Sequence, residues 1–238
     1  MASQVLTDPA TPRVLITDEQ TEGKGRRDRS WAMVPAGGVL MSIYVPWIER
    51  TTVHVANTAL GVALVDAVNA IAPDATPRLK WPNDLLATNE LFKGRKLAGM
   101  LSEAVVDGGE LRGVICGLGV NVSWPTATDI ADAQGLEGAA CINESAAVHV
   151  DRHELAKEIL DRFDRELTLF ATHGVAATHD RYRERCSTIG EQVRVEGPNG
   201  VLNGRATDLD PSGALLVSVD GQLHKVDVGD VIHLRPLL

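Results

Sequence analysis

Between Gln20 and Trp31 the chain reads Gln-Thr-Glu-Gly-Lys-Gly-Arg-Arg-Asp-Arg-Ser-Trp. Two glycines one residue apart, Gly23 and Gly25, let a backbone turn tightly and present N–H groups to an anion. The arginines that follow, among them Arg26 and Arg29, offer forked donors for carboxylate or phosphate oxygens. Trp31 adds a flat face for a ring or a nucleobase. Four basic and two acidic residues make this segment positive within a chain of net charge −9. On composition alone a solvated basic loop is the stronger reading. It is not a Walker loop, because Gly-x4-Gly-Lys-Ser/Thr occurs nowhere.

Three further segments carry chemistry-bearing types. Lys80-Trp81-Pro82-Asn83-Asp84 sets a cation, an indole, a proline and two oxygen-bearing side chains at the end of a predicted strand. That combination suits one wall of a polar pocket, and Pro-Asn-Asp is equally ordinary turn chemistry. Gly94 to Glu103 reads as a strand whose alternation puts Lys96 on one face with Ala98 and Met100, and Leu97, Gly99 and Leu101 on the other. A glycine inside a strand marks close approach of a ligand or another backbone. Gly117-Leu118-Gly119-Val120-Asn121 closes the partner strand in the same way. As a Gly-x-Gly without a third glycine and a helix, it is weak evidence for a dinucleotide site.

The elements that must hold these segments follow from periodicity. Val14-Leu15-Ile16 predicts a short buried strand, and Val39 to Val45 a second one after the Gly37-Gly38 turn. Thr51 and Thr52 are candidate caps for a helix with Leu60, Leu64, Ala67, Val68 and Ile71 at helical spacing, stopped by Pro73. Leu79 to Asp84 is a strand ending in a turn. Lys96 to Val106 and Leu111 to Val122 form a hairpin about Asp107-Gly108-Gly109-Glu110. Asp151 with Glu154 opens a helix carrying Leu155, Ile159, Phe163, Leu167 and Phe170 on one face, and a second helical stretch holds Arg181 to Arg185. From about Ile189 short Val- and Leu-rich runs alternate with tight turns, the texture of a small β-barrel. The expected architecture is α+β: a mixed sheet with flanking helices over residues 1–187, then a small SH3-like β-barrel over 188–238.

Composition excludes several classes. With 44% hydrophobic and 23% charged residues the chain is ordinary for a soluble globular protein. Its acidity argues against nucleic acid as a partner. No secretory signal is visible and no apolar stretch is expected to reach membrane-spanning length. The three cysteines Cys116, Cys141 and Cys186 are far apart, suggesting neither disulfides nor a zinc ribbon and fitting a reducing cytoplasm. His149 and His153 flank a helix start and share no face, so no metal site is expected there. His224 and His233 read as surface or packing residues, and no Gly-x-Ser-x-Gly elbow exists.

Each segment is weak alone; their order is specific. Together they resemble the biotin–protein ligase family, whose core shows a Gly-Arg-Gly-Arg-x-Gly-Arg-x-Trp loop, then Lys-Trp-Pro-Asn-Asp, Lys-Leu-x-Gly-x-Leu-x-Glu and Gly-x-Gly-x-Asn. The likeness runs from about Val14 to the C-terminus, and Gly229-Asp230-Val231 belongs to it. The resemblance implies activation of biotin with ATP as biotinyl-5'-AMP and transfer to a lysine of a biotin carboxyl carrier domain, as in a biotin-dependent carboxylase subunit. It implies Lys96 and Arg26 as the catalytic cations beside carboxylate and phosphate. It places Gln20, Lys24, Gly25, Arg26 and Lys96 about biotin, and Gly23, Arg29, Trp31, Asn83, Asp84 and Asn121 about ATP, with Mg²⁺ accompanying the nucleotide and no protein-built metal site. A homodimer stays open, since sheet-edge pairing leaves no readable mark.

The chain departs from the family pattern at three places. Lys24 stands for the usual Arg, keeping charge and losing the fork. Asp28 stands for the usual Gly, and its carboxylate would repel phosphates unless Arg27 or Arg29 pairs with it. The family's Ser/Thr-Thr-Asn segment, which helps to bind biotin, is not found before Val14: it is expected upstream of Met1, the alternative being a pocket that lacks this part. The competing readings are a binding paralogue disabled at Asp28, a lipoate ligase-like acyltransferase, and a biotin-sensing repressor, which needs a helix-turn-helix domain for which there is no room before Val14.

Overall fold

A computed structural model of the chain describes residues 8–27, 29–124, 138–198, 200–227 and 229–233. Asp28 and residues 1–7 lie outside them, so the reading of Asp28 has no structural counterpart. The larger sheet runs in the order β1-β2-β6-β5-β4-β3, antiparallel throughout. Its strands are β1 Arg13–Thr17, β2 Gly38–Val45, β3 Pro77–Lys80, β4 Asp84–Ala87, β5 Lys96–Asp107 and β6 Glu110–Asn121. The β5–β6 hairpin turns where expected, with Gly108 and Gly109 both at positive φ (59° and 83°), backbone that glycine adopts without strain.

Helix α1, Val53–Ile71, is apolar around most of its circumference, and eleven of its residues are buried, from Val55 to Val68. A helix apolar on all sides belongs inside a protein. The expectation that no stretch reaches membrane-spanning length is corrected here: residues 50–71 are long enough, with mean hydropathy 1.3. That apolarity is spent on the core, beneath β3, β5 and β6 and against α3 (Arg152–His173) and α4 (Val175–Arg185). Neither threonine caps α1 with its side chain. Residues Arg50–Thr52 form a 3₁₀ turn, and the Thr52 hydroxyl donates to the Glu49 carbonyl. Helix α2 is short, Ile142–Ala146. Helix α3 starts as predicted, the Asp151 carboxylate accepting from the N–H groups of His153 and Glu154.

Strand β1 differs from its prediction. Val14, Leu15 and Ile16 are each 48% exposed, because β1 is the outermost strand and neither face is fully covered by described residues. A run of three apolar residues does not by itself distinguish an edge strand from a central one.

The C-terminal strands β7 Gln192–Gly197, β8 Gly200–Leu209, β9 Leu215–Val219, β10 Gln222–Val226 and β11 Asp230–His233 make a second antiparallel sheet in the order β10-β9-β8-β7-β11. Among the described residues its outer strands β10 and β11 do not pair, so the expected small barrel stands as an open five-stranded sheet. Val193, Val195, Leu209, Leu215 and Val217 continue the core of the larger domain.

Candidate functional site

In the larger sheet, register decides which residues share a face. Gly99 pairs with Gly119 and that residue with Leu40; Leu101 pairs with Gly117 and that residue with Ser42. These face away from α1. The intervening Met41, Met100 and Leu118 belong to the core. On the outer face lies a cavity of about 710 Å³, bordered also by the 20–31 loop, the β3–β4 turn and the end of β11.

Lys96 reaches this face by an irregularity. Asp84 pairs with Gly99 and Leu85 with Ala98, but Leu86 pairs with Lys96, so Leu97 is an extra residue in β5. A bulge of one residue reverses the alternation beyond it. The face predicted for Lys96, shared with Ala98 and Met100, is therefore corrected. Its side chain lies beside Gly99, where an added Cβ would come 3.1 Å from Nζ. The ammonium is 2.6 Å from Asp84 Oδ1 and 5.2 Å from the centroid of the Trp31 ring.

The strand glycines have a definite partner, and it is an indole. Trp31 lies flat on Gly99 and Gly119, where any Cβ would overlap its six-membered ring. The indole Nε1 is buried and makes no hydrogen bond. Asn121, 1% exposed, donates through its amide nitrogen to the carbonyls of Lys96 and Ala140 at 3.3 and 3.2 Å. Its Oδ1 is buried without a donor. Asn83 is likewise a clasp: its amide donates to the Met100 carbonyl at 2.8 Å, and the Met100 N–H donates to the Asn83 carbonyl at 2.9 Å.

The basic loop is an ordered hairpin. Trp31 N–H donates to the Gly23 carbonyl at 2.8 Å, Gly25 N–H to the Arg29 carbonyl at 2.6 Å, and Arg27 takes a positive φ of 52°. An added Cβ on Gly23 would run into the Trp31 carbonyl and come 3.0 Å from Gln20 Oε1, so only glycine fits there. Three guanidinium groups of the loop converge on one carboxylate of the C-terminal sheet. Arg26 lies 3.6 Å and Arg27 3.4 Å from Asp230, and Arg29 is paired to it more closely still. Arg26 also donates to the Gly229 carbonyl and Arg27 to that of Glu196. Burial lowers the Arg26 pKa, with Asp230 opposing, so this cation is only partly hydrated.

Every residue expected at a site except Gly23 borders this single cavity: Gln20, Lys24, Gly25, Arg26, Arg29, Trp31, Asn83, Asp84, Lys96 and Asn121. Gly23 sits just behind, in the neck of the hairpin. Lys80 and Trp81, read from the sequence as part of one wall of a polar pocket, border the cavity too, as does Asp230, which sequence reasoning gave no role. Burial lowers the pKa of Lys80, with nearby Lys96 and Arg29 adding to the effect and Asp84 and Asp230 resisting it. Its motif was visible. Asp230 stood out only within Gly229-Asp230-Val231, and nothing in the sequence paired it with a loop two hundred positions away. Among the described residues no group of three His, Cys, Asp or Glu gathers to hold a metal ion. The chemistry available is that of a cavity bordered by five basic and five acidic side chains, with an aromatic wall and a free amide acceptor, suited to a charged ligand that carries a ring.

Comparison with known proteins agrees with this geometry. The profile of the biotin/lipoate A/B protein ligase family matches residues 3–121, and that of the biotin protein ligase C-terminal domain matches residues 188–234. The chain is 34% identical over 227 residues to the biotin–[acetyl-CoA-carboxylase] ligase of Mycobacterium tuberculosis, covering 93% of this chain and 79% of that one. It is 26% identical to the bifunctional ligase/repressor BirA of Escherichia coli, covering 92% of this chain and 65% of that one. In fold it is similar to the biotin protein ligase of Aquifex aeolicus solved with biotin and ATP, with a TM-score of 0.77, 24% identity and coverage of 93% and 88%. The chain belongs to the biotin protein ligase family.

Proposed function

We propose that this protein is an ATP-dependent ligase that activates biotin as biotinyl-5'-AMP and transfers it to a lysine of a biotin carboxyl carrier domain. The observation that carries the reading is the convergence of four sequence-distant segments on one cavity that sets Lys96 between Asp84 and the face of Trp31. The biotin carboxylate attacks the α-phosphorus of ATP and pyrophosphate leaves. The acceptor lysine then attacks the acyl carbon, and AMP leaves. Both steps move negative charge, so fixed cations lower the barrier. Lys96 is the cation beside carboxylate and bridging phosphate, held by Asp84. Arg26 and Arg29 take the phosphate side, with Gly23 and Gly25 shaping the hairpin that covers the ligand. Gln20 and Lys24 lie toward biotin. Trp31 stacks with the adenine, and the free Oδ1 of Asn121 accepts from its amino group.

Mg²⁺ fits this site as a companion of the nucleotide. Five carboxylates border the cavity, those of Glu22, Asp84, Glu103, Glu196 and Asp230, and Mg²⁺ commonly binds through one or two carboxylates plus substrate phosphates; Asp84, beside Lys96, would be the one to hold it. It supplies neutralisation of phosphate charge. We assign residues 1–187 to the catalytic domain and 188–238 to the small β-domain that closes the cavity through Asp230. The half-exposed β1 edge is the surface a homodimer would use, the acidic net charge disfavours nucleic acid, and three buried free thiols suit the cytoplasm. Biotin-dependent exchange of labelled pyrophosphate into ATP tests the activation step. Exchange that needs biotin supports it, and exchange with neither biotin nor lipoate defeats it.

A further inference from the structure

We infer that Trp81 is a positioning residue that fastens the nucleotide-binding wall of the site to the C-terminal sheet; the assignment rests on the ligase reading above. Trp81 follows β3 and is 4% exposed. Its indole Nε1 donates at 2.9 Å to the carbonyl of Gly213, in the turn between β8 and β9. Its own N–H donates at 3.0 Å to the hydroxyl of Thr188, a fully buried residue whose hydroxyl also lies 3.1 Å from His233 Nε2 on β11. The next carbonyl, that of Pro82, accepts from Asn57 of α1 at 3.2 Å and from the Tyr182 hydroxyl of α4 at 3.4 Å. One dipeptide thus ties α1, α4, the inter-sheet connection and the C-terminal sheet together. The two residues that follow are Asn83, which clasps β5, and Asp84, which holds Lys96.

The carbonyl that accepts the indole bond belongs to a turn with its own internal hydrogen bonds. In the 210–213 turn the Asp210 carboxylate accepts from the N–H groups of Ser212 and Ala214 and from Lys225, which fixes the Gly213 carbonyl. Behind the wall lies a second cavity of about 230 Å³ between the two sheets' domains, bordered by Trp81, His54, His179, Tyr182 and Gly213. Along that cavity hydrogen bonds join the wall to the C-terminal sheet. At its border the indole bond and His54 Nε2 to the Pro211 carbonyl at 3.1 Å are polar ties to the 210–213 turn, beside the Trp81 N–H to Thr188 and the forked Arg183–Asp208 pair between α4 and β8. Phe at position 81 keeps an aromatic ring in the wall and removes only the donor.

The test compares wild type with Trp81→Phe in steady-state pyrophosphate exchange and in hydrogen exchange. Loss of one such bond is expected to raise KM for ATP about 3- to 10-fold while KM for biotin stays within a factor of two. Amide exchange should accelerate in residues 210–214 and 83–84 more than elsewhere. Thr188→Val should act in the same direction, and the double variant should be less than additive if both hold one wall. Equal rises in both KM values, or a lowered melting temperature with unchanged KM values, would assign Trp81 to stability alone and overturn the inference. So would unchanged exchange in the 210–214 turn, which is readable whether or not the chain turns over. An inactive wild type would overturn the ligase reading, and this role with it; an active wild type beside an unaffected Trp81→Phe would overturn only the clip.

Discussion

The Lys96 ammonium stands 2.6 Å from the Asp84 carboxylate, and that pairing exists because Leu97 is bulged out of register. Without the bulge, Lys96 would point with Ala98 into the core, where an ammonium is not tolerated. Lys96→Gln is therefore expected to lower kcat by about 100- to 1000-fold, the usual cost of one preorganised donor to a developing charge. Asp84→Asn should lower it less, because the cation remains, losing its hold together with the carboxylate proposed for Mg²⁺. Equal losses in the two variants, measured by pyrophosphate exchange, would mean that Lys96 is not the dominant charge at the reacting groups.

Trp31 needs two glycines beneath it. Gly119→Ala places a methyl group where the indole now lies, and Gly99→Ala does the same at the ring's other edge. Both should raise KM for ATP by about tenfold or more and shift Trp31 fluorescence to the red, with the rest of the fold intact by circular dichroism. This follows from contact geometry, since the barrier is one of overlap and not of backbone conformation.

Asp230 draws three arginines of the loop onto the C-terminal sheet. Asp230→Asn should loosen residues 23–31, seen as faster proteolysis at Lys24, Arg26 or Arg27, and should release the activated intermediate sooner. Because such pairs are screened, the wild-type loop should approach the variant's behaviour as ionic strength rises from 0.05 to about 1 M.

Much of this arrangement was legible in the chain. Asp151 announced its helix, Gly108-Gly109 their turn, and the four ordered segments their common cavity. What was not legible depended on contacts between distant positions. Nothing near Leu97 marks it as extra, since a bulge is set by pairing with β4. Strand β1 looked buried because its residues are apolar, whereas burial depends on what lies beyond it. Asp230 and the Gly213 carbonyl gained roles only when the second sheet folded against the first, and a backbone carbonyl carries no sequence signal at all.

Asp210 supplies a pH dependence. Burial raises its pKa, but the Lys225 ammonium and the N–H and hydroxyl donors of Ser212 and Ala214 outweigh that and hold it at about 2, below its ordinary 3.8. A carboxylate depressed by folding stabilises fully above its ordinary pKa, and that stabilisation fades as pH falls from about 4 toward 2. Asp210→Asn should then destabilise the protein at pH 6, and the difference from wild type should shrink toward pH 2.5 in denaturant titrations. A difference that holds constant with pH would remove the carboxylate's charge from the account.

The core offers a plainer check. Leu64 on α1 is fully buried. Leu64→Ala should cost about 2–5 kcal/mol of unfolding free energy while leaving both KM values in place. A change in substrate saturation without loss of stability would mean that α1 is coupled to the site more tightly than packing requires.

The central claim is most directly tested by the mass of an acceptor. A biotin carboxyl carrier domain incubated with this chain, biotin, ATP and Mg²⁺ should gain one biotinyl group on a single lysine, with one AMP released per group attached. No gain should follow when biotin or ATP is omitted, or when Lys96→Gln replaces the wild type. An acceptor whose mass stays unchanged with every component present, or that gains a lipoyl group in preference to biotin, would contradict the account.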